Sequence, residues 1–309
     1  MLHIRHLSKR YGGTAAEANH DITLSFGPSQ VVGLLGHNGA GKSTLLGQLV
    51  GAIRPTSGTV LFGTRDLVAD PALARRVSSI MGQSAAPMRG VTPRDAVVSI
   101  ARLRGRSRRA AVAVAEDLLG TLELGAWADT TGERLSGGVR RLTAYAMACA
   151  GAGPIILLDE PTNDVDPVRR PILWDHIRGL ADKGHLVVVV THNLAEAQPH
   201  LDRVVIMRAG RVVRDDPRPA PGSASTGEGA LLRLTLLGVA GGLEIPFGAT
   251  PPPPRRDGSL TVTFPASEGP RAIEWATGCQ AGGLVADFSL TPATGPTSLE
   301  ELYAELHAS

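Results

Sequence analysis

The sequence predicts an α/β fold: a parallel β-sheet with helices on both faces, followed by a small α+β appendage. Continuous aliphatic runs at 31–36, 155–158 and 186–190 have the length and composition of strands that are buried on both faces. Helix-like stretches separate these runs, as they do in a sheet built from strand–helix–strand units. A Pro/Gly/Ser-rich stretch at 216–229 then separates this pattern from the shorter C-terminal part.

The length of 309 residues suits about two domains, and the pattern divides the chain accordingly. We expect an N-terminal domain at 1–215, a linker at 216–229 and an accessory α+β domain at 230–309. A helical insertion is predicted between about 87 and 154 within the N-terminal domain. Its predicted helices are Asp95–Arg104, Arg108–Leu122 and Arg141–Cys149.

Composition and charge exclude several classes of protein. The formal net charge is +2, from 31 basic and 29 acidic side chains, and aromatic residues make up 4% of the chain. Such a chain has neither the basic excess nor the stacking side chains of a nucleic-acid-binding protein, so we expect no nucleic-acid partner. Cys149 and Cys279 lack the spacing of metal ligands and are expected to be reduced thiols. Because no run is long enough for a membrane helix and no signal peptide is evident, we expect a soluble intracellular protein.

A glycine-rich segment after the first aliphatic strand matches the phosphate-loop pattern G-x-x-x-x-G-K-[ST]. Glycines let the backbone N–H groups turn inward around phosphates, and the helix that follows presents its positive end. Lys42 can reach the β- and γ-phosphates, and it is one of only three lysines among the 31 basic residues. The alternative is a glycine turn that matches by chance. The nucleotide-binding candidates are Gly36, His37, Asn38, Gly39, Ala40, Gly41, Lys42, Ser43 and Thr44.

Two carboxylates follow the strand at 155–158. Asp159 would hold Mg²⁺, directly or through water, and Glu160 is placed to polarise an attacking water molecule. The Ser43 hydroxyl is a second candidate Mg²⁺ ligand. Two acids at an exposed strand end are the alternative interpretation. Together with the phosphate loop they predict a P-loop nucleotidase whose cofactors are ATP and Mg²⁺.

The segment LSGGVRR at 135–141 resembles the signature motif of ATP-binding-cassette (ABC) ATPases. The resemblance covers about residues 1–215 in the family's motif order. It implies a P-loop NTPase with a RecA-like core plus antiparallel-β and α-helical subdomains. It also implies a head-to-tail homodimer, in which the signature contacts the γ-phosphate of the nucleotide on the opposite subunit. The residues with this trans role would be Leu135, Ser136, Gly137 and Gly138; a capped helix start is the other, compatible interpretation.

The same resemblance assigns roles to four further residues. Tyr11 resembles the aromatic residue that stacks on adenine, although it is also compatible with an ordinary turn tyrosine. Gln83 resembles the loop glutamine that touches Mg²⁺ and senses the membrane subunit. Asp166 resembles the D-loop aspartate that communicates across the dimer. His192 resembles the switch histidine that contacts the γ-phosphate and the catalytic acid. The implied catalytic pair is then Glu160 and His192, and the implied metal ligands are Ser43, Gln83 and Asp159.

The C-terminal segment at 296–303 resembles the ending of daunorubicin-type drug-resistance exporter ATPases, and Arg140 and Arg141 fit that subfamily. The resemblance implies a subunit that couples ATP hydrolysis to efflux of a small molecule, such as a drug, an antibiotic or a lipid-like compound. A separate transmembrane permease would be its partner and would hold it at the inner face of the cell membrane. The alternatives are an ABC importer ATPase and a soluble non-transport ABC ATPase. The basic run at 102–109 is either a solvated face or a contact with a permease or anionic lipid.

Overall fold

A computed structural model describes residues 1–12, 17–83, 89–217, 231–238, 243, 245–246, 259–265 and 268–292. By its internal contacts the chain divides into two compact units, Met1–Arg218 and Pro219–Ser309. In the described ranges no helix combines the length and the apolarity that a membrane crossing needs.

The first unit contains ten described strands and seven described α-helices. Its strands are β1 (Leu2–Arg10), β2 (Glu17–Phe26), β3 (Gln30–Leu35), β4 (Ser57–Phe62), β5 (Arg65–Asp66), β6 (Ser78–Met81), β7 (Ile155–Asp159), β8 (Leu186–Val190), β9 (Arg203–Arg208) and β10 (Arg211–Pro217). Its helices are α1 (Lys42–Leu49), α2 (Pro71–Val77), α3 (Pro93–Leu103), α4 (Arg108–Thr121), α5 (Gly137–Cys149), α6 (Arg169–Asp182) and α7 (Leu194–Ala197).

Six strands form the central sheet in the order β10–β9–β3–β8–β7–β6. The five strands from β9 to β6 are parallel, and β10 pairs antiparallel with β9 at the edge. This arrangement confirms the predicted parallel sheet, whose aliphatic runs are buried because both faces are covered. Since β3, β8 and β7 are neighbours and run in the same direction, the residues that follow them meet at one edge of the sheet.

A second sheet of the first unit is antiparallel, with the strand order β2–β1–β4–β5. Apolar side chains of this sheet, of the central sheet and of α1 form one buried cluster, for which Ile4, Leu24, Leu34 and Leu46 are representative. Burial of this shared core holds the two sheets and α1 together. The strand β2 therefore lies against the loop that precedes α1, which matters for the site described below.

Helices α3, α4 and α5 form a helical part between β6 and β7 in the chain. Each begins at a side-chain cap: Thr92, Ser107 and Ser136 accept a hydrogen bond from the backbone N–H three residues onward. The helix predicted to begin at Arg141 therefore begins at Gly137, because Ser136 caps it there. A parallel core sheet, an antiparallel sheet and a helical part confirm the predicted fold class.

The second unit has three described strands and one described helix. These are β11 (Leu231–Leu237), β12 (Leu260–Pro265), β13 (Asp287–Pro292) and α8 (Gly269–Ala281). The strand order is β12–β11–β13, with both pairs antiparallel. Buried residues of the strands and of α8, including Leu234, Phe264 and Ala272, form a core of their own. This is an α+β arrangement, as predicted for the appendage.

The boundary between the predicted domains needs one correction. Strand β10 continues past the predicted domain end at 215, because Asp216 and Pro217 still pair with β9. The rest of the predicted linker, 218–229, and the predicted exporter-like ending at 296–303 lie outside the described residues. The assignment of separate domain roles to the two units stays a prediction.

Candidate nucleotide-binding site

The loop between β3 and α1 has a backbone that only glycine accommodates at three positions. Gly36, Gly39 and Gly41 have φ values of 148°, 83° and 99°, which lie in the region that side-chain-bearing residues rarely adopt. A methyl group on Gly36 would overlap the carbonyl oxygen of Met207, and one on Gly41 would overlap that of Ala18. The predicted phosphate loop is therefore a narrow turn at the N-terminus of α1, where unpaired backbone N–H groups favour an anion.

Lys42 lies across this loop. Its Nζ donates hydrogen bonds to the carbonyl oxygens of Gly36 at 2.6 Å and His37 at 3.0 Å. Burial lowers the pKa of Lys42, and the negative charges of Glu160 and Asp159 oppose that shift. The ammonium group is thus held inside the turn by acceptors that a phosphate oxygen can replace.

Asn19 supports the loop from β2, a contact that the sequence analysis did not predict. Its side chain is fully buried, and Nδ2 donates a hydrogen bond to the carbonyl oxygen of Gly41 at 3.0 Å. The positive φ of Asp21 accompanies an irregular pairing between β1 and β2, and it displaces Asn19 from the regular alternation of the strand. A polar residue at such an irregularity is not distinguished by strand periodicity alone.

Ser43 and Asp159 form the candidate metal site. The Ser43 hydroxyl donates to Oδ2 of Asp159 at 3.1 Å, which joins the start of α1 to the end of β7. Burial raises the pKa of Asp159, and the hydrogen bond from Ser43 opposes that rise. The described residues contain no cluster of three or more His, Cys, Asp or Glu side chains that would hold a metal. One carboxylate and one hydroxyl suit Mg²⁺, which takes its other ligands from water and substrate phosphates.

Gln83 follows β6 and is exposed. Its carbonyl oxygen accepts a hydrogen bond from the guanidinium of Arg141. No hydrogen bond in the described part of the chain joins its side chain to Ser43 or Asp159. The structure therefore places Gln83 at the sheet edge where the site lies, without direct contact to the other two predicted metal ligands.

Glu160 and His192 form a contacting pair at the ends of β7 and β8. Oε1 of Glu160 lies 2.9 Å from Nδ1 of His192, whose side chain is 70% exposed. Glu160 has a φ of 53°, and its backbone N–H donates to the carbonyl oxygen of Val190 at 2.8 Å. Its Oε2 is buried and has no hydrogen-bond partner among the described residues. A buried carboxylate oxygen without a partner is expected where a water or ligand binds.

Tyr11 lies beside the start of α1. Its hydroxyl oxygen is 3.5 Å from Oγ1 of Thr44, and the residue is 42% exposed. The Nζ of Lys9 lies 5.1 Å from the centroid of its ring. An accessible aromatic ring next to the phosphate loop has the placement that stacking on a nucleobase requires.

The signature residues make their described contacts with their own helix and with the chain near Asp164. Ser136 caps α5 by accepting a hydrogen bond from the N–H of Val139 at 3.3 Å. Gly138 lies so close to the chain at Asp164 that a Cβ atom would overlap the carbonyl oxygen of that residue. Within the described residues no hydrogen bond joins 136–138 to the phosphate loop. The structure thus groups the signature with the predicted D-loop, which is the segment 163–166 that contains Asp166.

The D-loop residue Asp166 caps the segment that enters α6. Its carboxylate accepts hydrogen bonds from the backbone N–H of Arg169 at 3.1 Å and from the guanidinium of the same residue at 2.8 Å. These contacts with Arg169 lower the pKa of Asp166. Asp166 is therefore ionised and held by its contacts with Arg169, and its role in a subunit contact stays a prediction.

Sequence reasoning also missed a polar network behind the loop that follows β8. Glu196 accepts hydrogen bonds from Trp174 Nε1 at 2.8 Å, Asn193 Nδ2 at 2.6 Å and an Arg170 nitrogen at 3.2 Å. Arg170 also donates to the carbonyl oxygen of Val165 at 2.9 Å. The network connects the loop after β8 with the D-loop. A glutamate four residues beyond a strand-end histidine was its only sequence signal.

Comparison with known proteins decides the family. A family model described as ABC transporter matches residues 19–163. A Nod factor export ATP-binding protein of Burkholderia orbicola is 31% identical over 211 residues, which cover 68% of this chain and 69% of that protein. The chain belongs to the ABC transporter family. The predicted resemblance to ABC ATPases is thereby confirmed.

Two further comparisons agree with this membership. The daunorubicin/doxorubicin resistance ATP-binding protein of Streptomyces peucetius is 36% identical to the ABC-family chain over 209 residues. That match covers 68% of this chain and 63% of the relative, so the chain spans less than two thirds of that protein. A solved dimeric ATP-binding cassette in a post-hydrolysis state, bound to ADP and Pi, aligns with a TM-score of 0.65 at 25% identity. This alignment covers 70% of the ABC-family chain and 98% of that structure.

Proposed function

We propose that this chain is the ATP-binding and ATP-hydrolysing subunit of an ABC exporter. The proposal depends on three groups that meet at one edge of the sheet. They are Lys42 in the phosphate loop, the Ser43–Asp159 pair, and Glu160, whose buried Oε2 has no hydrogen-bond partner among the described residues. Phosphate-binding, metal-binding and water-orienting groups are the parts that phosphoryl transfer to water needs.

Each group has a defined task in this proposal. Lys42 and the loop N–H groups hold the β- and γ-phosphates, and Tyr11 stacks on the adenine. Ser43, Asp159 and Gln83 would hold Mg²⁺, which would neutralise charge on the phosphate oxygens. Glu160 orients the attacking water through its open Oε2, while His192 holds the other carboxylate oxygen in place.

The signature requires a second copy of the chain. Ser136, Gly137 and Gly138 stand at the N-terminus of α5 without a hydrogen bond to their own phosphate loop in the described chain. A helix N-terminus of this kind favours an anion. In a head-to-tail homodimer it would contact the γ-phosphate that the opposite subunit holds. The dimeric cassette among the structural relatives supports this arrangement.

A groove of about 940 Å³ between β6, α3 and α5 supports a contact with a separate permease. It has exposed apolar side chains at its surface, since Ile80 is 40% and Leu103 is 82% exposed. Among the described residues that line it there are four arginines and no carboxylate: Arg75, Arg76, Arg104 and Arg140. An apolar groove with this charge fits an amphipathic, acidic cytoplasmic segment of a membrane protein.

The export direction rests on the names of two relatives, a drug-resistance ATP-binding protein and a Nod factor export ATP-binding protein. The cargo would be a small molecule, such as a drug, an antibiotic or a lipid-like compound, and the permease would select it. The chain would act at the inner face of the cell membrane. The ATPase domain would occupy about 1–215, and the unit after the linker would be an accessory domain.

Phosphate release by the full-length chain with MgATP tests the enzymatic part of the proposal. Glu160→Gln should lower kcat at least about 100-fold, the low end for a residue that acts on the reacting proton. It should keep ATP binding and accumulate an ATP-bound dimer, measured by size-exclusion chromatography with light scattering. Glu123→Gln, at an exposed position, is the matched control and should keep the wild-type rate.

Two results would contradict the proposal in different ways. Wild-type chain that releases no phosphate would remove the ATPase function. A Glu160→Gln variant with the wild-type rate would leave the function and remove the assigned role of Glu160.

A photo-crosslinking amino acid, incorporated at one position of the chain in cells, tests the permease contact. At Leu103, which lines the groove, it should capture a chain with several membrane spans, identified by mass spectrometry. At Val112, which is 39% exposed on α4 and does not line the groove, it should not. Equal capture at both positions, or capture of ribosomal protein from Leu103, would reject the permease partner.

A further inference from the structure

Arg141 is a buried arginine in the helix that carries the signature. It is the fifth residue of α5, and only 3% of its surface is exposed. Burying a guanidinium is costly unless its N–H groups are satisfied. The basic pair after the signature was predicted only as a subfamily trait, so this burial needs its own explanation.

The hydrogen bonds of Arg141 end on backbone carbonyl groups of two other segments. Nε donates to Glu160 at 3.0 Å, and one terminal nitrogen donates to Gly82 at 3.1 Å and also to Gln83. The second terminal nitrogen donates to Asp159 and Glu160. One side chain of α5 therefore joins the end of β7 to the residues that follow β6.

Nearby carboxylates offset part of the cost of burying the charged guanidinium. Burial lowers the pKa of Arg141, and the carboxylates of Asp159, Asp164 and Glu160 oppose that shift. None of these carboxylates is a hydrogen-bond acceptor of Arg141 within the described chain, so their oxygens stay available for other partners. The cation thus binds the backbone of the catalytic segment while leaving its acidic side chains open.

We propose that Arg141 is a positioning residue, which holds the signature helix, the catalytic segment Asp159–Glu160 and the Gly82–Gln83 segment in one fixed arrangement. This inference rests on the proposed ATPase function. When the signature of one subunit binds the nucleotide of its partner, the position of α5 becomes fixed. Because Arg141 joins α5 to the backbone of Glu160, the position of Glu160 in its own site becomes fixed as well. The two sites of a dimer are thereby coupled through one side chain per subunit.

The geometry requires a guanidinium. Its planar group presents five N–H donors in fixed directions, whereas the lysine ammonium is a compact group with three donors on a flexible stem. Lysine can retain the charge and reach part of the acceptor set. Glutamine removes the charge and leaves several buried carbonyl groups without a donor.

Steady-state kinetics of the full-length chain test the proposal with Arg141→Gln and Arg141→Lys. Arg5→Gln, at an exposed position on β1, is the matched control. We expect Arg141→Gln to lower kcat by about 100-fold, the loss that a misplacement of about 1 Å produces. The Kd for a fluorescent ATP analogue should change by less than about threefold, because Lys42 and Ser43 are untouched. Arg141→Lys should recover part of kcat.

Thermal unfolding and far-UV circular dichroism distinguish a positioning role from loss of structure. If Arg141→Gln is unfolded at the assay temperature, Arg141→Lys decides the question by the same split between kcat and Kd. A folded variant with kcat within twofold of wild type would overturn the inference. Parallel losses of kcat and ATP affinity in both variants would also overturn it. Neither result would remove the ATPase function, which depends on phosphate release by wild-type chain.

Discussion

Gly137 and Gly138 are neighbours in the first turn of α5, yet we expect them to respond differently to an added methyl group. A Cβ on Gly138 would lie 2.4 Å from the carbonyl oxygen of Asp164 and 3.4 Å from the Cα of Val165. A Cβ on Gly137 would lie 3.6 Å from the nearest atom, the Cβ of Asp164, which is an ordinary van der Waals contact. Gly138 is thus fixed by the approach of the D-loop, whereas Gly137 has room.

The pair of alanine variants isolates the cost of that approach. Both substitutions gain the helix propensity of alanine over glycine, up to about 1 kcal/mol, so this contribution cancels in the difference. Overpacking at Gly138 costs about 1–3 kcal/mol. Gly137→Ala should therefore be more stable than Gly138→Ala by about 1–3 kcal/mol. For a unit of about 200 residues this corresponds to a Tm difference of roughly 2–12 °C.

Differential scanning calorimetry without nucleotide measures this difference, and the ATPase rate of the stable variant adds the functional result. Gly137→Ala should have a Tm at or above that of the wild type, because the added methyl group makes only ordinary van der Waals contacts with its own chain. It should lose activity, because in the proposed homodimer the methyl group would meet the γ-phosphate held by the partner subunit. Equal Tm values for the two variants would refute the packing argument. Wild-type activity of Gly137→Ala would refute the trans contact.

Three further outcomes follow from polar groups that are buried or half-buried. Asn19→Ala should weaken ATP binding about fivefold in titration calorimetry, because the hydrogen bond from Asn19 to Gly41 is worth about 1 kcal/mol. An unchanged affinity for ATP would contradict the supporting role of Asn19. Tyr145→Phe should lower the free energy of unfolding by about 1 kcal/mol in urea titration, because the hydroxyl oxygen of buried Tyr145 lies 2.7 Å from Nδ1 of half-buried His176. An unchanged midpoint would contradict this prediction. Burial raises the pKa of Cys149 to about 12, so iodoacetamide at pH 8 should modify it at least about a hundredfold more slowly than an unfolded thiol. Peptide mass spectrometry would disprove this if the folded and unfolded chains reacted equally fast.

The sequence predicted the parts of the fold whose physical causes are local. Strands that are buried on both faces need continuous aliphatic residues. The runs that form β3, β7 and β8 have this composition. The phosphate loop was likewise predictable, because its residue types and spacing follow a local pattern and its glycines at 36, 39 and 41 have positive φ values. These features need no knowledge of distant contacts.

The features that escaped prediction depend on distant contacts. Arg141 looks like a surface residue in sequence, and only the fold brings it to carbonyl groups 18 to 59 positions away. In the sequence, Asn19 is an ordinary polar residue of a strand. Only the irregular β1–β2 pairing in the fold places its side chain against Gly41. The predicted bounds of α5 and of the first domain were wrong for a simpler reason. Side-chain caps such as Ser136, and strand pairing, set these bounds to within single residues.

The positive φ of Glu160 has a consequence for any attempt to engineer this chain. A non-glycine residue at φ 53° holds backbone strain of about 1–3 kcal/mol. Glycine or asparagine at this position would relieve that strain and remove the carboxylate, so we expect such variants to be more stable and inactive. A selection for thermal tolerance alone would therefore enrich substitutions at the carboxylate that we propose orients the attacking water, and it should be run with an activity screen beside it.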